Sequence, residues 1–137
     1  MPPPKVVQAP LLHHTLGTPQ NEFVLLESKD PGQIPGASPR GVPLHLHRTE
    51  DEAWYVVEGT LRFQFGAEEF DVAQGAGVLL PRGTPHTFWN PTDRAVRYVL
   101  VVGPKTAGLL AALHGPTPPP PSALKEIYRS FDVELLE

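Results

Sequence analysis

The stretch GVPLHLHRTEDEAWYVVEG, residues Gly41–Gly59, decides how this chain reads. At its centre stands His45-Leu46-His47. On an extended strand residues i and i+2 share a face, so the two imidazoles project together while Leu44 and Leu46 point the other way, into a packing layer. Two rings one pleat apart can each offer a nitrogen to one ion. Glu52, after a short turn, opens the next strand and can swing its carboxylate back to the same point. Glu50 and Asp51 are alternatives for that role, expected in the exposed turn.

Downstream, Pro81-Arg-Gly83-Thr-Pro85-His86-Thr-Phe-Trp-Asn90 supplies a third histidine. The Pro-x-Gly turn and Pro85 set the approach to a strand starting at His86. Folded antiparallel against the first strand, it can bring this ring to His45 and His47. Three imidazoles and one carboxylate suit one divalent transition metal, Fe, Mn, Ni, Cu or Zn, better than calcium or magnesium, which prefer oxygen shells.

Around these segments short apolar runs alternate with turn residues. The spacing predicts strands at 23–27, 42–47, 54–58, 61–65, 69–72, 77–81, 86–90 and 95–102. Closely spaced short strands favour a sandwich or barrel over βαβ units. Leu61, Phe63 and Phe65 alternate with Arg62 and Gln64, a period of two that marks one buried and one wetted face. After Gly103-Pro104 the pattern turns helical over 105–113. It stops at His114-Gly115-Pro116, crosses the spacer Pro118–Pro121, and resumes over 123–131 with Ser122 as the expected cap. The tail 132–137 reads as a strand or arm. The expected division is an N-terminal arm over 1–22, a barrel over 23–103 and a helical, proline-rich extension over 104–137.

Composition narrows the classes. The chain has 137 residues, 18 of them proline, no cysteine and a net charge of −4. One domain is expected at this length. The missing cysteine removes disulfides, thiolate nucleophiles and cysteine-held metals. No basic stripe exists to neutralise phosphates, so nucleic acid is not an expected partner. No apolar run approaches the ~20 residues of a membrane span. A cytoplasmic soluble protein is the expectation, with His13, His14 and His114 as ordinary surface histidines.

The two histidine segments resemble the two signature motifs of the cupin superfamily. The first motif, G(x)5HxH(x)3–4E(x)6G, is met by His45, His47, Glu52 and Gly59; its leading glycine falls where this chain has Pro39, with Gly36 and Gly41 nearby. The second, G(x)5PxG(x)2H(x)3N, is met at every position by Gly75, Pro81, Gly83, His86 and Asn90. Fifteen residues separate Gly59 from Gly75, the short interval of compact cupins. The resemblance covers about residues 36–103. It implies an all-β fold, a single jelly-roll barrel (a double-stranded β-helix) with a short helical C-terminal extension. It also implies that His45, His47, Glu52 and His86 ligate one metal.

Ala107–Leu136 is similar to the extension of single-domain cupins that resemble quercetin dioxygenase. In such enzymes the glutamate ligand can double as a base toward the substrate hydroxyl, a catalytic role that would fall to Glu52. Strand alternation puts Trp54 on the face of Glu52 and Phe88 on the face of His86. These two, with Phe63 and Phe65, are the expected walls of an apolar substrate pocket. The leading expectation is a metal-dependent dioxygenase for a small aromatic or enolic substrate. The alternatives are a metal-dependent ligand-binding barrel without turnover and a sugar isomerase or epimerase. By resemblance a homodimer is expected, its exposed strand edges covered by the N-terminal arm or the C-terminal tail.

Overall fold

The computed structural model describes residues 3–12, 14–33 and 42–137. In chain order the strands are β1 (Thr15–Leu16), β2 (Val24–Asp30), β3 (His45–His47), β4 (Glu52–Glu58), β5 (Thr60–Phe65), β6 (Glu68–Ala73), β7 (Gly77–Leu80), β8 (His86–Trp89), β9 (Val96–Val102) and β10 (Val133–Leu135). Helix α1 (Pro104–Leu113) and helix α2 (Leu124–Ser130) lie between β9 and β10. Two five-stranded sheets form, in the orders β1-β2-β9-β4-β7 and β10-β3-β8-β5-β6. Every strand pair within them is antiparallel. This is the jelly-roll arrangement that the cupin resemblance implies, within the sandwich-or-barrel class that the strand spacing favours, and no described helix is long and apolar enough to cross a membrane.

Alternation in the sequence becomes burial in the fold. Along β9, Val96, Tyr98, Leu100 and Val102 are buried while Arg97, Val99 and Val101 are half-buried on the opposite face. Trp54 and Val56 face them from β4, and Leu61 and Phe63 close the core from the second sheet. Arg62, between those two, pairs with Asp71 on the outer face at 2.7 Å. Burying whole aromatic and branched side chains contributes roughly 1.5–3 kcal/mol each, which is what holds the two sheets together.

Several boundaries move from where the sequence alone put them. The ligand strand was expected from 42 but pairs only over His45–His47. Pro43 has no N–H to give a ladder and stays outside it. Ser122 does not cap the second helix: it sits inside a 3-10 turn, Pro121–Ala123, and the residue before α2 is Ala123, with no side-chain cap. Pro121 opens this tighter turn, displacing the helix start. The tail is a strand. β10 pairs with β3 in the register Val133↔His47 and Leu135↔His45, and β1 pairs with β2, so tail and arm each cover a strand edge within the chain itself.

Glycines at the turns have distinct duties. Gly59 and Gly75 both adopt left-handed backbone, φ +89° and +86°. A Cβ at Gly59 would meet the Ala95 carbonyl oxygen at 2.9 Å and Val96 Cα at 3.1 Å, whereas one at Gly75 would meet nothing within 4 Å. Gly75→Ala should therefore cost only the backbone term, about 1–2 kcal/mol. Gly59→Ala should cost at least about 1 kcal/mol more, because rigid backbone must give way. Urea midpoints of the two variants check this, and equal midpoints would refute the close-approach argument.

Candidate metal centre

The pleat of β3 projects the rings of His45 and His47 to one side, as the i, i+2 spacing demands. β8 lies antiparallel to β3 with His86 directly opposite His45. Ring centroids are 4.5 Å apart for His45–His86, 5.1 Å for His45–His47 and 5.2 Å for His47–His86. Glu52 opens β4 and turns its carboxylate inward: Oε1 lies 3.3 Å from His86 Nε2 and in still closer contact with His47 Nε2. One donor atom from each of the four residues lies within 4.8 Å of all the others. All four side chains are buried.

The far side of each ring fixes which nitrogen faces the centre. His45 Nδ1 is 2.8 Å from the Pro43 carbonyl oxygen and His86 Nδ1 is 3.1 Å from that of Thr84. A carbonyl only accepts, so both rings donate from Nδ1. His47 Nδ1 is 3.1 Å from Thr106 Oγ1. The Thr106 hydroxyl has one proton, and it donates to Glu50 Oε1 at 2.8 Å. Its oxygen is thereby left to accept from His47 Nδ1. Neutral rings so held all direct an Nε2 lone pair inward, where a carboxylate oxygen also points.

Three lone pairs and an anionic oxygen meeting in a dry space repel one another unless a cation sits between them. Consistent with this, His47 Nε2, His86 Nε2 and Glu52 Oε1 are buried without a hydrogen-bond partner. Buried polar atoms are otherwise nearly always satisfied. Burial, and then the neighbouring His86, hold the His45 imidazole down at about 4, so it is neutral and ready to coordinate at neutral pH. Burial alone would push Glu52 up; a positive charge at the point it shares with His47 and His86, whether a ring proton or a bound cation, is what holds the carboxyl down. The donor set fits one divalent transition metal, with the Pro43 and Thr84 carbonyls and the Thr106 hydroxyl already fixing ring orientation.

The other acids of the turn do different work. Asp51 forms a two-pronged pair with Arg82, at 3.1 and 3.3 Å. Glu50 accepts the backbone N–H groups of Lys105 and Thr106 at 2.9 and 2.8 Å, satisfying the free donors at the start of α1. Asn90, the last residue of the second motif, does not reach the centre. Its amide donates to the Arg94 and Pro31 carbonyls and its oxygen accepts from Thr92, tying the β8–β9 turn to the end of β2.

Trp54, Phe63 and Phe88 pack on one another in the barrel core, and Phe65 stands beside the His86 ring. Trp54 packs on Phe63 and Phe88 at 5.4 and 5.5 Å between centroids, and Phe65 lies along the His86 ring at 6.5 Å. Trp54 is itself buried, and its indole N–H has no acceptor. His14 and His114 are exposed, and His13 lies outside the described residues. Sequence reading missed Thr106, Glu50 in its observed role, and Tyr128, whose ring stands edge-on to His45 at 6.2 Å. One signal for Glu50 was present. Helix α1 opens with Pro104 and has no acid in its first turn, so an acceptor for its free N–H groups had to come from elsewhere.

Comparison with known proteins bears on the fold. A family model described as a cupin domain matches residues 35–102. An uncharacterized protein of Methanocaldococcus jannaschii is 36% identical over 47 residues, 34% of this chain and 38% of that protein. A sugar phosphate isomerase from a cupin superfamily, of Silicibacter pomeroyi, superposes with a TM-score of 0.51 at 24% identity, covering 61% of this chain and 51% of that one. The Schizosaccharomyces pombe Cnp3 cupin domain superposes with a TM-score of 0.53 at 14% identity, covering 65% and 61%. The matched part is under two thirds of each of these three proteins, and at such identities the two structures speak for the fold alone.

The depressed His45 value sets a pH dependence. The unfolded imidazole takes up a proton near 6.5 and the folded one near 4, so stability is present above 6.5 and drains away as pH falls toward 4. The loss at pH 4 in metal-free protein should approach roughly 3 kcal/mol at 1.36 kcal/mol per unit. His45→Gln should flatten that part of the profile. Thermal melts between pH 7 and 4 read both, and a flat wild-type profile would show that this ring is not held neutral.

Proposed function

This chain belongs to the cupin superfamily through its domain at residues 35–102, and on that premise we propose that it is a metal-dependent oxidoreductase, a dioxygenase acting on a small aromatic or enolic substrate. The single observation that carries the reading is the meeting of the four donors His45, His47, Glu52 and His86 inside an apolar barrel. When bound, a redox-active metal supplies coordination positions at which substrate and dioxygen can be activated. Four protein ligands leave one or two such positions on a five- or six-coordinate ion.

The chain's own residues set what can enter. Trp54, Phe63, Phe65 and Phe88 exclude water and favour a flat apolar ring over a free sugar. Trp54 is the polar exception, because its unpartnered indole N–H would be satisfied by a ligand oxygen. Among the described residues no lysine or arginine is buried. Arg62 and Arg97 turn outward to Asp71 and Glu27. A phosphate-bearing sugar would want such a cation inside, while the likeness in fold to a sugar phosphate isomerase keeps the isomerase or epimerase as an alternative.

Glu52 is ionised throughout the physiological range, which suits a ligand. As a ligand it would also stand where a substrate hydroxyl proton could be taken, the base role that the resemblance implies for it. The burial of all four donors is what favours the second reading, a binding barrel without turnover.

Oxygen uptake separates the readings. The protein is loaded in turn with Fe(II), Mn(II), Ni(II) and Cu(II) and offered flavonols, β-diketones and catechol-like enols. Uptake with at least one metal, lost in His86→Ala, is the expected result. Trp54→Phe should keep the metal and weaken substrate binding about five- to tenfold, the worth of one hydrogen bond. Tight ligand binding with no uptake for any metal would replace the dioxygenase by the binding barrel.

A further inference from the structure

We propose that Thr106 is a positioning residue for the metal, making ion affinity depend on the docking of helix α1 and not on the barrel alone. The inference rests on the reading of the four donors as ligands and goes beyond it. Thr106 is no part of the cupin motifs and lies 59 positions from His47, the ring it touches. It is 3% exposed, at the first turn of α1.

The argument is one of proton counting. Glu50 receives three bonds from the start of α1: the N–H of Lys105, the N–H of Thr106 and the Thr106 hydroxyl. With its only proton committed to that carboxylate, the hydroxyl can only accept at its remaining contact, His47 Nδ1. The line His47–Thr106–Glu50 therefore sets both the tautomer and the tilt of His47, as the carbonyls of Pro43 and Thr84 do for His45 and His86. Those two carbonyls belong to residues just before the rings they hold. Only His47 is held from a distant element. Glu50 lies in the turn between β3 and β4 and Glu52 opens β4, so one short segment anchors α1 with one side chain and offers the other to the ion. A third tie runs from Lys105, which contacts Asp132 and the Thr49 hydroxyl at 3.2 Å, linking α1 to the residue just before β10.

The test uses the full chain stripped of metal. Zn(II) and Ni(II) affinities are measured by competition with a chromogenic chelator, and melting of the metal-free protein is recorded alongside. Thr106→Val keeps the shape and loses the hydroxyl; Thr106→Ala is a second removal should valine disturb packing; Thr106→Ser restores the hydroxyl. Valine and alanine variants that melt cooperatively should bind both ions about 10–100-fold more weakly. The serine variant should return to within about threefold of wild type. Unchanged affinity in a folded valine or alanine variant overturns the proposal, as does a serine variant no better than valine. Loss of cooperative melting in both removals also overturns it, since Thr106 would then be structural. A wild-type chain that binds neither ion sinks the metal reading itself, which the other outcomes leave standing.

Discussion

Four electron-rich atoms forced together in a dry interior are the constraint on which this molecule turns. Left alone, such a cluster opposes folding: three of its atoms are buried with no partner, and its nearest neighbours repel one another. The fold tolerates it because the rest of the barrel over-determines the position of every donor. The β3–β8 ladder places His45 opposite His86, the pleat aligns His47 beside them, and the opening residue of β4 swings Glu52 across. A cation turns the same cluster from a liability into a tie between strands of both sheets.

The surroundings divide cleanly by chemistry. On the outer side of each ring stands an oxygen that accepts a hydrogen bond from Nδ1–H and so leaves Nε2 free. On the inner side is an apolar core that offers almost nothing polar. The exception is Trp54, whose indole N–H is buried without an acceptor. The second motif splits in the same way. His86 belongs to the centre, while Asn90 four residues on is spent on holding a turn and the end of β2.

What could be read from the sequence follows from the range of the interactions involved. The face shared by His45 and His47 is a matter of two residues and a strand's pleat, and it was legible at once. Glu52 was legible because a short turn limits where a carboxylate can go. His86 needed the strand order, which the turn at Pro81–Gly83 and the motif spacing together implied. The β-rich core was equally plain, since Leu61 and Phe63 alternate with polar neighbours. Element ends were less so, because Pro43 and Pro121 act through a missing N–H and a tightened turn, not through hydropathy. Thr106 was invisible. Nothing local to Gly103–Ala107 announces that a hydroxyl there will meet a ring 59 positions away. The tail was read only as strand or arm, because pairing of Val133–Leu135 with His45–His47 is set by tertiary closure.

That last pairing carries a consequence for the nascent chain. Val133 is made 86 positions after its ladder partner His47. A growing polypeptide that has emerged as far as His86 therefore already owns all four donors, yet lacks the hydroxyl and the edge strand that later flank them. Closure over such long sequence separations is slow compared with helix or hairpin formation. Until synthesis has passed Thr106 the hydroxyl beside the His47 ring is not in place, and until it has passed Leu135 neither is the edge partner of His45–His47.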